Sequence, residues 1–197
     1  MDKQYISQLY QDGGLTNVGV LQAITMGWIT TDDAVDILGT DNSFGVIRSA
    51  KLLEISKACN NVIVSGVDVP IGDRIDHFNL ALEDQSNINN LFRVVELGGT
   101  EFPYQADDGT CTVYSAMEIA QIYIAAQTLI TTQTSYHNAL KSYILSLEDE
   151  GSISAVVYGM ELPEPYASEL ASKLAVAQVQ MSAIVGRLKE NAAAATD

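Results

Sequence analysis

Residues 115–147 read SAMEIAQIYIAAQTLITTQTSYHNALKSYILSL, and this stretch decides the fold. Ser115 stands at an N-cap position with Glu118 three residues on, the reciprocal pattern of a capping box. Behind it Ile122, Ala126, Leu129, Gln133, Tyr136, Leu140, Tyr143 and Leu147 follow one another at 4-3-4-3-4-3-4 spacing. That spacing is a heptad seam with one polar position, Gln133. The chain therefore contains a long helix over 115–147.

Working toward the carboxyl terminus, residues 148–162 form a connector with acids, Gly151 and Tyr158-Gly159. Pro163 and Pro165 mark the next boundary, and Pro165 suits the first turn of a helix. A second heptad segment follows over 166–191, with Ala167, Leu170, Leu174, Ala177, Met181, Ile184 and Leu188 at 3-4-3-4-3-4 spacing. Gly186 costs this helix roughly 1 kcal/mol relative to Ala. Ala192–Asp197 reads as a frayed tail. The two seams are the expected oligomer or helix-packing surface. They can pair with each other as an antiparallel hairpin, or gather around an axis shared with further copies, with Gln133 setting register.

Working toward the amino terminus, residues 62–114 carry short β-prone runs. Val62–Val64 and Val67–Ile71 are separated by Ser65-Gly66, and Ile75, Phe78, Leu80 and Leu82 begin to alternate. A helix is expected over 84–96, capped by Asp84 and closed by Gly98-Gly99. Asp108-Gly109, between Phe102–Gln105 and Cys111–Tyr114, is a hairpin signal. Residues 1–61 read as small helices. In them Val20, Leu21, Ile24 and Trp28 share a face, Thr31 caps a helix ending at Gly39, and Ser43 caps another that stops at Asn60-Asn61. The expected fold class is α+β and helix-dominated: small N-terminal helices, a small antiparallel sheet with one helix, then two long heptad-patterned helices. Three domains are expected in series: a helical attachment segment 1–61, an α+β module with the long helix 62–162, and a coiled-coil-like helix and tail 163–197.

The 197 residues are 47% apolar, enough for a real core, and carry 10 Lys and Arg against 25 Asp and Glu, a net charge of −15. Nucleic-acid binding rests on Lys and Arg neutralising phosphates, so no nucleic-acid partner is expected. No stretch approaches the ~20 apolar residues of a membrane span, and Met1–Tyr5 leads into polar residues rather than a signal-peptide core. Cys59 and Cys111 lie far apart and read as reduced thiols.

Candidate chemistry is sparse. The two histidines, His77 and His137, have no partner at ligand spacing such as C-x₂-C or H-x₃-H. Asp32-Asp33, Asp107-Asp108 and Glu148-Asp149-Glu150 do not fit a calcium loop. They read as a helix start, a turn, and a helix end or the beginning of another helical turn. Gly13-Gly14 lacks a following Lys-Ser/Thr, and Gly98-Gly99 ends a helix rather than opening one. Neither a catalytic residue, a metal ligand nor a cofactor is assigned, and the chain is not expected to be an enzyme. A hydrolase centred on Cys111 or His137 is the competing reading.

Two segments carry a resemblance. Gln22–Gly39 (QAITMGWITTDDAVDILG) resembles the short XkdX-type proteins encoded near tail-fibre genes of phages and prophages of Gram-positive bacteria. The shared pattern is an apolar helix, a Gly-aromatic-Ile-Thr turn, two acids, and a helix ending in Gly. Val35 stands where those sequences often carry Tyr. The second segment, about 62–162, holds His77-Phe78-Asn79-Leu80 followed by Asp84-Gln85-Ser86-Asn87, and is similar to a phage domain with an H-F-x-L-x-x-x-D-Q-x-N core.

The resemblance implies a location and no active site: a virion structural protein of the bacteriophage tail, at the tail tip, baseplate or fibre attachment, made in the host cytoplasm. The implied partners are other tail or fibre proteins and further copies of the chain. Trp28 and Ile29 are the candidate partner-binding residues of the first segment. The alternative is a tail-fibre assembly chaperone that is not retained in the particle.

Overall fold

A computed structural model of the chain describes residues 2–107 and 109–194. Its first three helices each begin on a side-chain oxygen. Asp2 caps α1 (Lys3–Gln11), Thr16 caps α2 (Asn17–Thr25), and Thr30 caps α3 (Thr31–Leu38). At α3 the cap lies one residue before the expected Thr31. Thr30 has extended backbone and accepts from the Asp33 N–H at 3.1 Å, while the Asp33 carboxylate accepts from the Thr30 N–H at 3.0 Å. Gly39, at φ +72°, ends α3 in a conformation that disfavours L side chains.

Helix α4 (Thr40–Val64) departs most from expectation. Ser43 does not cap it but lies inside it, fully buried, donating from its hydroxyl to the Thr40 carbonyl and to the Glu150 carboxylate. The helix also runs through Asn60-Asn61 and converts the expected strand Val62–Val64 into its last turn. Helix propensities of Asn and Val are only about 0.5 kcal/mol worse than Ala, and packing outweighs them: Ile63 lies against a buried core.

Strands β1 (Val67–Ile71) and β2 (Arg74–Phe78) pair antiparallel, Val67 opposite Phe78 and Ile71 opposite Arg74. β1 alternates cleanly, with Val69 and Ile71 inward; in β2 only Phe78 is buried and Ile75 is exposed. Gly66 enters this hairpin at φ +84°, where an added Cβ would collide with the Phe78 carbonyl oxygen and sit 2.8 Å from the Asn79 Cα. Helix α5 (Leu82–Glu96) starts two residues before expected, from Ala81 and with no side-chain cap, so Asp84 sits in its first turn rather than capping it. Strands β3 (Glu101–Tyr104) and β4 (Thr112–Ser115) form a second antiparallel pair, Tyr104 opposite Thr112. The two hairpins are separate ladders, not the single small sheet expected. Residues 105–111 connect β3 to β4, so Asp-Gly is not a two-residue turn; Asp108 itself lies outside the described residues.

Helix α6 (Ala116–Ser146) begins as expected, with the Ser115 N–H donating to Glu118 at 2.7 Å and the Glu118 N–H donating to the Ser115 hydroxyl at 3.3 Å. The connector holds a short helix, α7 (Glu150–Ala155), capped by Asp149. Helix α8 (Tyr166–Ala194) takes up the first half of the expected frayed tail; residues 195–197 lie outside the described residues. The fold is helix-dominated α+β.

The residues fall into two units that interleave along the chain: Met1–Cys59 with His137–Ala167, and Asn60–Tyr136 with Ser168–Asp197. The sequence pattern suggests domains in series, cut near 61 and 162. The interleaving arises because α4, α6 and α8 each run from one unit into the other.

In the first unit, Ile6, Val20, Ala23, Ile29, Ala34, Leu38 and Val46 form a buried cluster contributed by α1–α3 and the start of α4. Two cations of α4 bind carbonyls that follow helix ends. Arg48 donates to the Leu147 carbonyl at 2.7 Å, just past α6, and its guanidinium lies 4.3 Å from the Phe44 ring centre. Lys51 donates to the Val156 carbonyl at 2.9 Å, just past α7, and pairs with Glu54 at 2.9 Å. Both cations sit where the helix macrodipole favours positive charge.

In the second unit both hairpins, α5 and the first half of α6 enclose Val69, Ile71, Phe78, Leu80, Ile88, Phe102, Tyr114, Ile119, Ile122 and Ala126. Phe92 stacks on Tyr123 with ring centres 4.0 Å apart, tying α5 to α6.

Candidate functional site

The seam residues of α6 divide between the two units. Ile122 and Ala126 are buried in the second unit's core, Leu129 packs against that core, and Gln133 and Tyr136 are half-buried. Leu140 is fully buried in the first unit, with Tyr143 and Leu147 half-buried beside it. On α8 all seven seam positions, Ala167, Leu170, Leu174, Ala177, Met181, Ile184 and Leu188, are half-buried; of the side chains described between them, only Val185 is not exposed.

The two seams do not face each other along the middle of α8. Leu174, Ala177 and Met181 share a groove of about 370 Å³ with Ile124, Thr128 and Thr131 of α6. At 100° per residue those three lie on the opposite side of α6 from Ile122, Ala126 and Leu129. A second recess of about 410 Å³ adjoins the first through Ile124 and Val185, and reaches Val69 and Pro70 of β1. The first half of the α6 seam thus turns to the hairpins and α5, and α8 covers a second face. That face was readable as Ile124, Ala125, Thr128 and Thr131, a stripe masked by the stronger heptad signal.

Trp28 and Ile29 separate. Ile29 is buried in the first unit's core, which withdraws it as a partner-binding residue, while Trp28 remains 41% exposed. Met26, at 64%, and Val18, at 63%, are further exposed apolar side chains near it in sequence.

Several titratable residues hold the fold. His77 lies opposite Asp68 in the β1–β2 ladder. Its Nδ1 is 2.6 Å from the Asp68 carboxylate and its Nε2 is 2.9 Å from the Ser65 carbonyl. Two acceptors favour the doubly protonated ring, and the Asp68 hydrogen bond raises the His77 pKa above the ordinary histidine value. A ring held in this way is a poor general base. Asp76 accepts from Arg74 at 2.8 Å, which lowers its pKa, and from the Tyr114 hydroxyl at 2.8 Å; burial raises the pKa of that phenol. Asp107 accepts the Asn79 N–H, and its own N–H donates to the His77 carbonyl at 3.0 Å.

In the first unit Lys3 bridges Asp33 at 3.0 Å and Asp36 at 2.6 Å. The Thr30 N–H and Lys3 together lower the Asp33 pKa from 3.8 to about 2. His137 is half-buried; Cys59 is buried, Cys111 is exposed, and no disulfide joins them. Among the described residues no group of three or more His, Cys, Asp and Glu side chains is placed to hold a metal ion, and no helix is long and apolar enough to cross a membrane.

Compared with protein families, curated proteins and solved structures, the chain matches none of them.

Proposed function

We propose that this chain is a structural protein of a bacteriophage tail, placed at the tail tip, baseplate or fibre attachment, and that it acts by protein–protein assembly. What supports the reading is the use made of the motif residues. In the first segment Thr30 and Asp33 close a capping box that Lys3 buttresses. In the second, His77 and Asn79 tie the β1–β2 hairpin to Ser65, Asp68 and Asp107. His77, one of the two histidines, is here occupied in fixing backbone. The remaining surface offers exposed apolar side chains, Trp28 among them, and a field of net charge −15 that suits basic or neutral partners.

Mass spectrometry of purified particles tests the proposal. The chain is expected in fixed ratio to the other tail proteins. Its absence from particles overturns the structural reading, and absence together with co-purification with a fibre fragment supports the assembly chaperone instead.

A further inference from the structure

Among the described residues nothing covers the outward face of α8. Opposite the half-buried seam, Ser172, Val176, Val179, Ala183 and Gly186 follow one another at 4-3-4-3 spacing, with Val176 60% and Val179 70% exposed. No residue from Leu174 through Gly186 is charged. Glu169 lies before the face and Arg187 and Glu190 after it, all exposed. At 100° per residue Glu169 and Arg187 fall on its same edge, while Glu190 continues its centre line. Neither Glu169 nor Arg187 forms an ion pair among the described residues.

We propose that this face is covered by α8 of a second copy of the chain, running antiparallel about a two-fold axis. Centring the pair between Ala177 and Gln178 sets Val176 against Val179 of the second copy and Ser172 against its Ala183. Each Glu169 then faces Gly186, with Arg187 one residue beyond it on the same edge, about 1.5 Å further along the axis, twice over by symmetry. A parallel pairing sets Glu169 against Glu169 and Arg187 against Arg187, which repels at both ends. The opposed helix dipoles favour the antiparallel order as well. Lys173 flanks the face and, in this register, lies opposite uncharged Ser182 and Ala183. Small side chains at 172, 183 and 186 let the two helix axes approach closely. With a net charge of −15 on each copy, an uncharged strip with one complementary pair toward each end is where two copies meet few like charges.

From Glu169 to Arg187 the strip is about 27 Å long at 1.5 Å per residue. A single helix stripe of that length falls short of the ~800 Å² per partner of a standard interface, so the dimer is weak, with a dissociation constant on the order of 10–100 µM. The inference builds on the assembly reading but is tested separately, since the chain can pair in solution whether or not it is found in particles.

Sedimentation velocity of the full chain from about 1 µM to 1 mM decides it. The native chain is expected to shift from monomer to dimer across that range, and Val176→Arg to remain monomeric. Val179→Arg repeats the test should Val176→Arg alter the far-ultraviolet circular dichroism. Glu169→Arg alone and Arg187→Glu alone are each expected to weaken pairing about tenfold. Mixing those two variants is expected to restore it, because each then offers the charge the other lacks at both ends. Arg187 also lines a shallow recess with Glu96, so the mixture, in which every substitution is retained, is the informative arm. A native chain that stays monomeric to 1 mM overturns the proposal. So does association unaffected by arginine at both 176 and 179, or a mixture no tighter than its components.

Discussion

Lys51 gives the sharpest test of how the first unit is held together. Its side chain is only 6% exposed, and its ammonium group donates to the Val156 carbonyl at 2.9 Å and pairs with a Glu54 whose own side chain is 56% exposed. The aliphatic stem and the charged head do separable work. Lys51→Ala removes three methylenes beyond Cβ, about 2.4 kcal/mol at ~0.8 kcal/mol each. It also orphans the buried Val156 carbonyl, for about 1–3 kcal/mol more. The expected total is about 3–5 kcal/mol. Lys51→Met keeps most of the stem and loses the hydrogen bond, but it no longer desolvates an ammonium group, so its expected cost is about 1–2 kcal/mol.

Equilibrium urea unfolding followed by tryptophan fluorescence measures both variants, because Trp28, the single tryptophan, reports the first unit. With a slope near 2 kcal/mol per molar, the midpoint falls by about 2 M for Lys51→Ala and by about 0.5–1 M for Lys51→Met. Equal losses in the two variants, or losses below about 0.5 kcal/mol in both, refute the assignment of stem to packing and head to the α7 carbonyl.

Two further perturbations are tied to pH. The raised pKa of His77 means that the Asp68–His77–Ser65 contacts contribute fully below the unfolded histidine value of 6.5 and are lost as pH rises through the folded value; Asp68→Asn is expected to flatten that dependence, read as the urea midpoint of the second unit or as the His77 ring titration by NMR. At α3 the sign is opposite. Asp33 contributes above 3.8, and its contribution fades as pH falls toward about 2; Thr30→Ala is expected to cost about 1 kcal/mol at neutral pH and to reduce the acid sensitivity of the Trp28 signal.

The sequence made local order legible where side chains address their own backbone. The Ser115–Glu118 box, the helix ending at Gly39 and the break at Gly66 are short-range chemistry. Where tertiary burial decides, the local signal misleads. Val62–Val64 has strand propensity, yet Ile63 finds a core and the helix continues. Ser43 has the chemistry of a cap, yet its partner Glu150 lies 107 residues away. Helix α6 is apolar on two faces, and spacing alone does not say which face meets which neighbour. Trp28 and Ile29 are neighbours in the bend between α2 and α3, yet one lies at the surface and the other in the core, a difference that local composition does not encode.

The interleaving of the two units also orders events during synthesis. Arg48 and Lys51 emerge early, but the carbonyls they bind belong to residues 99 and 105 positions later. At translation rates of about 5–20 residues per second, α4 waits roughly 5–20 s on the ribosome for Leu147 and Val156. The segment between 60 and 136 can collapse first, closed only afterwards by α8. The amino-terminal unit, though begun first, waits for residues 137–167, and the second unit finishes last, once α8 has been made. A nascent chain stalled before residue 147 leaves two cationic side chains with no carbonyl to meet.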